Sequence, residues 1–122
     1  MAAGRRFTIL TDEHVPFALV GALRAGGWGV HRVEDERELG KGAPDDRVFA
    51  YAAARGWLWL SRDEGALAHP AAWLREGRRF TGMLVWSQRY HRAMSVGEVV
   101  RQIEDLEGEQ DPFVAGVRFI KP

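Results

Sequence analysis

Apolar residues along this chain gather in five short runs, RFTILT, GWGVHRV, RGWLWLS, FTGMLVWS and FVAGVRFI. The third and fourth are apolar almost without break, the pattern of strands covered by helices on both faces. Trp57 and Trp59 alternate there with Leu58 and Leu60, so both faces of that strand are expected to be dry. Helical patterns fill the gaps. PFALVGALRAGG has Pro16 at a first-turn position, Gly26-Gly27 as a stop, and Leu19, Val20 and Leu23 at helical spacing. PDDRVFAYAAARG repeats the design between Pro44 and Gly56. EGALAHPAAWLREG is interrupted by Pro70, which predicts two short pieces or a kink. SVGEVVRQIEDLEG opens with a Ser95–Glu98 capping box and sets Val99, Val100, Ile103 and Leu106 on one stripe.

Strand and helix thus alternate from end to end. That order predicts an α/β fold, a three-layer α/β/α sandwich around a mostly parallel five-stranded sheet joined by right-handed crossovers. At 122 residues one domain is expected, spanning 1–122, with no repeat, linker or low-complexity tract. The longest irregular stretch is the charged loop Glu34 to Ala43, EDERELGKGA.

Composition narrows function mainly by exclusion. No apolar run approaches the roughly eighteen residues of a membrane span, and MAAGRRF at the N-terminus lacks an apolar signal core. A cytoplasmic protein without membrane association is therefore expected. The absence of cysteine excludes disulfides and thiolate metal sites. Seventeen basic residues balance seventeen acidic ones, which is not the footprint of a protein that grips duplex DNA by bulk charge. Nearly all the bases are arginine, Lys41 and Lys121 being the exceptions. Arginine forks suit phosphate, although an Arg/Ala/Gly-heavy composition also reflects a GC-rich genome.

The acids change the picture. In open parallel sheets, sites form beyond the carboxyl ends of the strands. Asp12 and Glu13 lie just past the first strand and Asp63 and Glu64 just past the third, and those two strands are expected to be neighbours. Asp45 and Asp46 open the second helix. Asp45 shares a face with Val48, Phe49 and Ala52, the face that packs on the sheet, whereas Asp46 turns outward with Ala50 and Ala53. Carboxylates converging from Asp12, Asp45 and Asp63 would repel by kilocalories in a partly dry cleft. A hard divalent cation, Mg²⁺ or Mn²⁺, removes that difficulty and activates water for attack on a phosphodiester. Read as local structure instead, Asp45/Asp46 cap their helix and Asp63/Glu64 open the next one.

ILTDEHVP, a strand ending in Asp-Glu-His before a proline-led helix, resembles the opening of a known family. GAPDDRVFAYAAARGWLWLSRDEGAL resembles its middle, a glycine–small–Asp turn, a helix, a strand and a Thr/Ser-x-Asp end. The resemblance is to the DUF5615 group of PIN-like proteins, related to the VapC toxins and the Mut7-C domain. It runs from about Phe7 to Leu67, and beyond that rests on element order. It implies a PIN-like sandwich and, for many members, Mg²⁺- or Mn²⁺-dependent ribonuclease activity, often as toxin components. Carried over by position, Asp12, Asp45 and Asp63 match the metal-binding aspartates, Ser61 matches a Thr/Ser that orients a neighbouring carboxylate, and Glu13 supports. One departure stands out. Members commonly read Thr-x-Asp-x-Asp-Phe after the third strand, whereas here Gly65 replaces the second aspartate. Either Glu64 reaches round with its longer arm or the second metal position is lost.

Other residues carry weaker signals. His14 is a partner for Asp12, a phosphate contact, or a polar residue that satisfies backbone groups. SQRYHR, Ser87 to Arg92, lies on the same rim as the acids, and Arg89, Tyr90, His91 and Arg92 mix charge with an aromatic as single-strand binders do. A solvated loop is the alternative. Lys41 precedes Asp45 and either touches phosphate or is an ordinary surface lysine. His31 and His69 have no evident partner. Trp57, Trp59 and Trp73 belong to the core, while Trp28 and Trp86 are expected to be partly exposed, which leaves an interface role and a homodimer open.

Three functions follow. The first is a metal-dependent ribonuclease with an RNA substrate and, as a toxin, a protein antitoxin over its cleft. The second is a PIN-like module that binds RNA or protein without catalysis, through loss of the acid at Gly65. The third is a phospho-acceptor receiver-like domain, which Ser87 and Lys121-Pro122 fit superficially, although no helix pattern follows the fifth strand.

Overall fold

A computed structural model describes residues 4–90 and 92–122. Five strands form its sheet: β1 (Thr8–Thr11), β2 (Gly29–Arg32), β3 (Leu58–Ser61), β4 (Gly82–Val85) and β5 (Val117–Phe119). Their spatial order is β2-β1-β3-β4-β5, and each neighbouring pair is parallel. The helices are α1 (Phe17–Ala25), α2 (Asp45–Arg55), α3 (Ala68–Arg75) and α4 (Val96–Glu107). One core joins α1 and α4 to the sheet through Ile9, Leu19, Leu23, Leu58, Leu60, Val99 and Ile103. The other joins α2 to the sheet through Leu10, Val48, Phe49, Trp59 and Met83, with Trp73 of α3 packed against it. This is the three-layer α/β sandwich that the alternating pattern implies. The reason is visible in β3 and β4, where every residue is buried, so both faces need apolar cover.

Strand β1 lies between β2 on one side and the central β3 on the other. The reversal of strand order falls between β1 and β3, and such a switch point opens a crevice at the strands' carboxyl ends. Helix α2 delivers the chain to β3 by a short device. Gly56 adopts a left-handed conformation (φ 72°), and the Trp57 N–H returns to the Ala52 carbonyl at 2.9 Å. Pro70 stands in the first turn of α3, where proline is tolerated, and a separate 3₁₀ turn, Glu64–Leu67, precedes it.

Three tryptophans depart from expectation. Trp28 and Trp86 are buried, each only 3% exposed. The Trp28 ring folds back over the core after the helix stop, and its Nε1–H donates to Glu107 Oε1 at 2.7 Å. Trp57 lies just outside β3 and is partly exposed, stacked on His31 with centroids 4.0 Å apart. That contact supplies His31 with a partner, and Glu36 lies 3.6 Å from its Nδ1. No helix among the described residues is long and apolar enough to cross a membrane.

Candidate functional site

The sheet hands three carboxylates to its carboxyl rim. Asp12 directly follows β1, and its N–H bonds to the Leu60 carbonyl at 3.1 Å, which continues the β1–β3 ladder and fixes the residue over the switch point. Asp63 follows β3 by two residues, and Asp45 is the first residue of α2. All three line one cleft of about 190 Å³, together with Glu13 and His14. Val33 and Val48 supply apolar wall. Asp45 is half-buried and Asp46 exposed, as the sheet-facing period of α2 requires.

Asp12 is the electrostatic centre. Burial pushes its carboxyl above the ordinary value, and the nearby Asp45 charge adds to that; hydrogen bonds from Ser61 and Trp59 and the neighbouring His14 oppose it. The Trp59 indole Nε1–H donates to Asp12 Oδ1 at 2.9 Å. Ser61, fully buried, also accepts the Asp63 N–H at 3.1 Å and so links two of the acids. Asp63 is exposed, and its Oδ1 accepts the Gly65 N–H at 2.8 Å, opening the 3₁₀ turn. A Cβ at Gly65 would stand 3.1 Å from that same oxygen. The turn as built therefore favours glycine at the position where the sequence resemblance implies an acid.

The remaining residues named from sequence divide. The Glu13 carboxylate accepts the Gly42 N–H, which ties the Glu34–Ala43 loop to the mouth of the cleft. His14 is exposed on its lip, and Lys41, also exposed, precedes the cleft-lining Gly42. Glu64 does not line the cleft. It accepts the Ser87 hydroxyl at 2.7 Å and pairs with Arg89 Nε at 3.3 Å, so it does not reach round to stand in for the acid missing at Gly65. Arg89 and Arg92 are exposed, and His91 lies outside the described residues. Ser87 and Lys121, which a phospho-acceptor site would need beside Asp12, do not line the cleft either. Lys121 is held by its backbone to Gln102, at 2.7 and 3.3 Å.

Trp59 is the residue that sequence reasoning assigned to the core alone. A buried indole N–H needs an acceptor, and strand alternation puts Trp59 on the same face as Ser61. Those two facts call for an acceptor on that face, and the β1–β3 register makes it Asp12.

Among the described residues, no group of three His, Cys, Asp or Glu side chains is drawn close enough to form a ready cation cage. The donor set nevertheless suits a hard divalent ion that keeps much of its water. It is all carboxylate oxygen, and the cleft has room for several waters at about 30 Å³ each.

The family model described as a PIN-like domain matches residues 7–80, more than half of the chain. The match takes in β1 through α3 and hence Asp12, Asp45 and Asp63. No curated protein and no solved structure matches.

Proposed function

This chain belongs to the PIN-like domain family, and on that premise we propose that it is a divalent-metal-dependent ribonuclease. The observation that carries the reading is that carboxylates from three separate elements, Asp12, Asp45 and Asp63, line one cleft at the strand ends. These three would hold the ion, and bound Mg²⁺ or Mn²⁺ would supply an activated water and neutralise charge on the phosphate. Trp59 and Ser61, both hydrogen-bonded to Asp12, orient its carboxyl at the cleft wall. Asp45 opens α2 and so presents its carboxylate from the helix's first turn. Val33 and Val48 exclude water from the inner wall. His14, on the lip, is placed to contact a scissile or neighbouring phosphate. The proposal extends to a toxin whose antitoxin covers this cleft, which co-expression with the product of an adjacent gene would test through relief of growth arrest.

Cleavage of several RNAs in the presence of Mg²⁺ or Mn²⁺ tests the reaction. Loss of cleavage in Asp12→Asn and Asp63→Asn supports it, and cleavage unchanged in both refutes it. A second reading, a PIN-like module that binds without turnover, is favoured by Gly65 and by the diversion of Glu64 to Ser87 and Arg89. Normal folding and RNA binding with no Mn²⁺ uptake would select it.

A further inference from the structure

The rim that carries the aspartates also carries an aromatic ring turned to solvent. Phe17 is 70% exposed, although helix α1, which it opens, buries Leu19, Val20 and Leu23. A lone exposed ring is ordinary. This one is braced. The Arg32 guanidinium carbon lies 4.0 Å from the ring centroid, and Arg32 is itself held by Glu34 at 2.9 Å and Asp35 at 3.1 Å. One face of the ring is covered and the other is open.

Both residues stand beside the cleft. Phe17 is three positions beyond His14, and Arg32 immediately precedes Val33; His14 and Val33 both line the cleft. The Val15 N–H bonds back to the Asp12 carbonyl at 3.1 Å, so the chain turns between Asp12 and Phe17. Their separation is thus below the roughly 18 Å that five extended residues span. A few nucleotides of an extended strand cover that distance.

The charges leave stacking as the available interaction. Arg32 is matched by Glu34 and Asp35, the adjacent cleft is acidic, and the chain's net charge is zero. A braced, locally neutral ring face takes a flat π-system, and beside a phosphodiester site that is a nucleobase. Bases in a duplex are already stacked, so only an unpaired one can reach it. We propose that Phe17, backed by Arg32, is a stacking platform for an unpaired base of single-stranded nucleic acid. The identity of that ligand rests on the nuclease reading.

Fluorescence anisotropy tests it, with the full chain and a labelled single-stranded RNA oligomer, Ca²⁺ replacing Mg²⁺ to hold back cleavage. Phe17→Ala is expected to weaken binding about 5- to 150-fold, the range for loss of one stacked base, while Phe17→Trp restores it. An abasic substitution at one position of the oligomer should weaken wild type by the same factor and leave Phe17→Ala unaffected. Leu74→Ala, on α3 and away from this rim, should bind as wild type. Equal affinity of wild type and Phe17→Ala, equal abasic penalties in the two, or no binding of the oligomer by wild type overturns the platform. Hydrolysis of bis(p-nitrophenyl) phosphate with Mn²⁺ is read separately. Its absence beside Phe17-dependent binding sinks the nuclease reading alone, and its presence beside Phe17-independent binding sinks the platform alone.

Discussion

Replacing Trp59 with phenylalanine removes a hydrogen-bond donor and part of a ring from the inner wall of the cleft. Trp59 is fully buried, donates to Asp12 Oδ1 at 2.9 Å, and packs on Phe49 with centroids 5.9 Å apart. Two losses add. A hydrogen bond to a charged acceptor contributes about 1.5–3 kcal/mol. Trimming indole to phenyl removes less than the whole-ring deletions that cost about 3–5 kcal/mol, so the void costs on the order of 1–2 kcal/mol. The sum, about 2.5–5 kcal/mol, is a large share of the roughly 5–15 kcal/mol that holds a domain folded. A double-mutant cycle with Asp12→Ala separates the two terms, because water in the open cleft can take the vacated acceptor position. Urea unfolding followed by circular dichroism, without metal, should give a coupling of about 1.5–3 kcal/mol. A coupling below about 0.5 kcal/mol would mean that Trp59 only fills space, and the orienting role assigned to it would be refuted.

Other consequences follow from the same geometry. Because burial raises Asp12 above the ordinary carboxylate value, the native chain takes up this proton more readily than the unfolded chain. Ionised Asp12 therefore costs stability at neutral pH, and the cost is relieved as pH falls through the native pKa towards the unfolded one. Metal-free Asp12→Asn should be more stable than wild type at neutral pH, with the difference shrinking on acidification; a less stable variant in urea melts contradicts this. Glu64→Gln should leave Mn²⁺ affinity unchanged by calorimetry, since Glu64 is engaged by Ser87 and Arg89 outside the cleft. Gly116→Ala should lower the Tm, at a cost of about 2–4 kcal/mol, because φ is 76° there and an added Cβ runs into the Phe80 ring. An unchanged Tm would show that the turn before β5 relaxes freely.

The layers are legible in the sequence because burial on both faces leaves β3 and β4 without polar positions apart from Ser61, and because helical period separates Asp45 from Asp46. The place of the cleft follows from chain order, since β1 and β3 adjoin at the switch point. What escapes is the partner that lies far along the chain. Trp28 reads as a half-exposed residue after a helix stop until Glu107, 79 positions later, accepts its N–H. Trp59 reads as core until the β1–β3 register sets its face beside Asp12. Glu64 reads as a spare ligand, but the 3₁₀ turn opened by Asp63 and Gly65 aims it at Ser87 instead. Each of these is a side-chain direction set by tertiary contact, which spacing along the chain does not encode.

Isothermal titration of the metal-free protein with Mn²⁺ bears most directly on the claim that Asp12, Asp45 and Asp63 serve one ion. Saturable binding at a single site is expected for wild type, weakened more than about tenfold by Asp12→Asn, Asp45→Asn or Asp63→Asn taken singly. Absence of saturable binding in wild type, or wild-type affinity retained by the three variants, would contradict it.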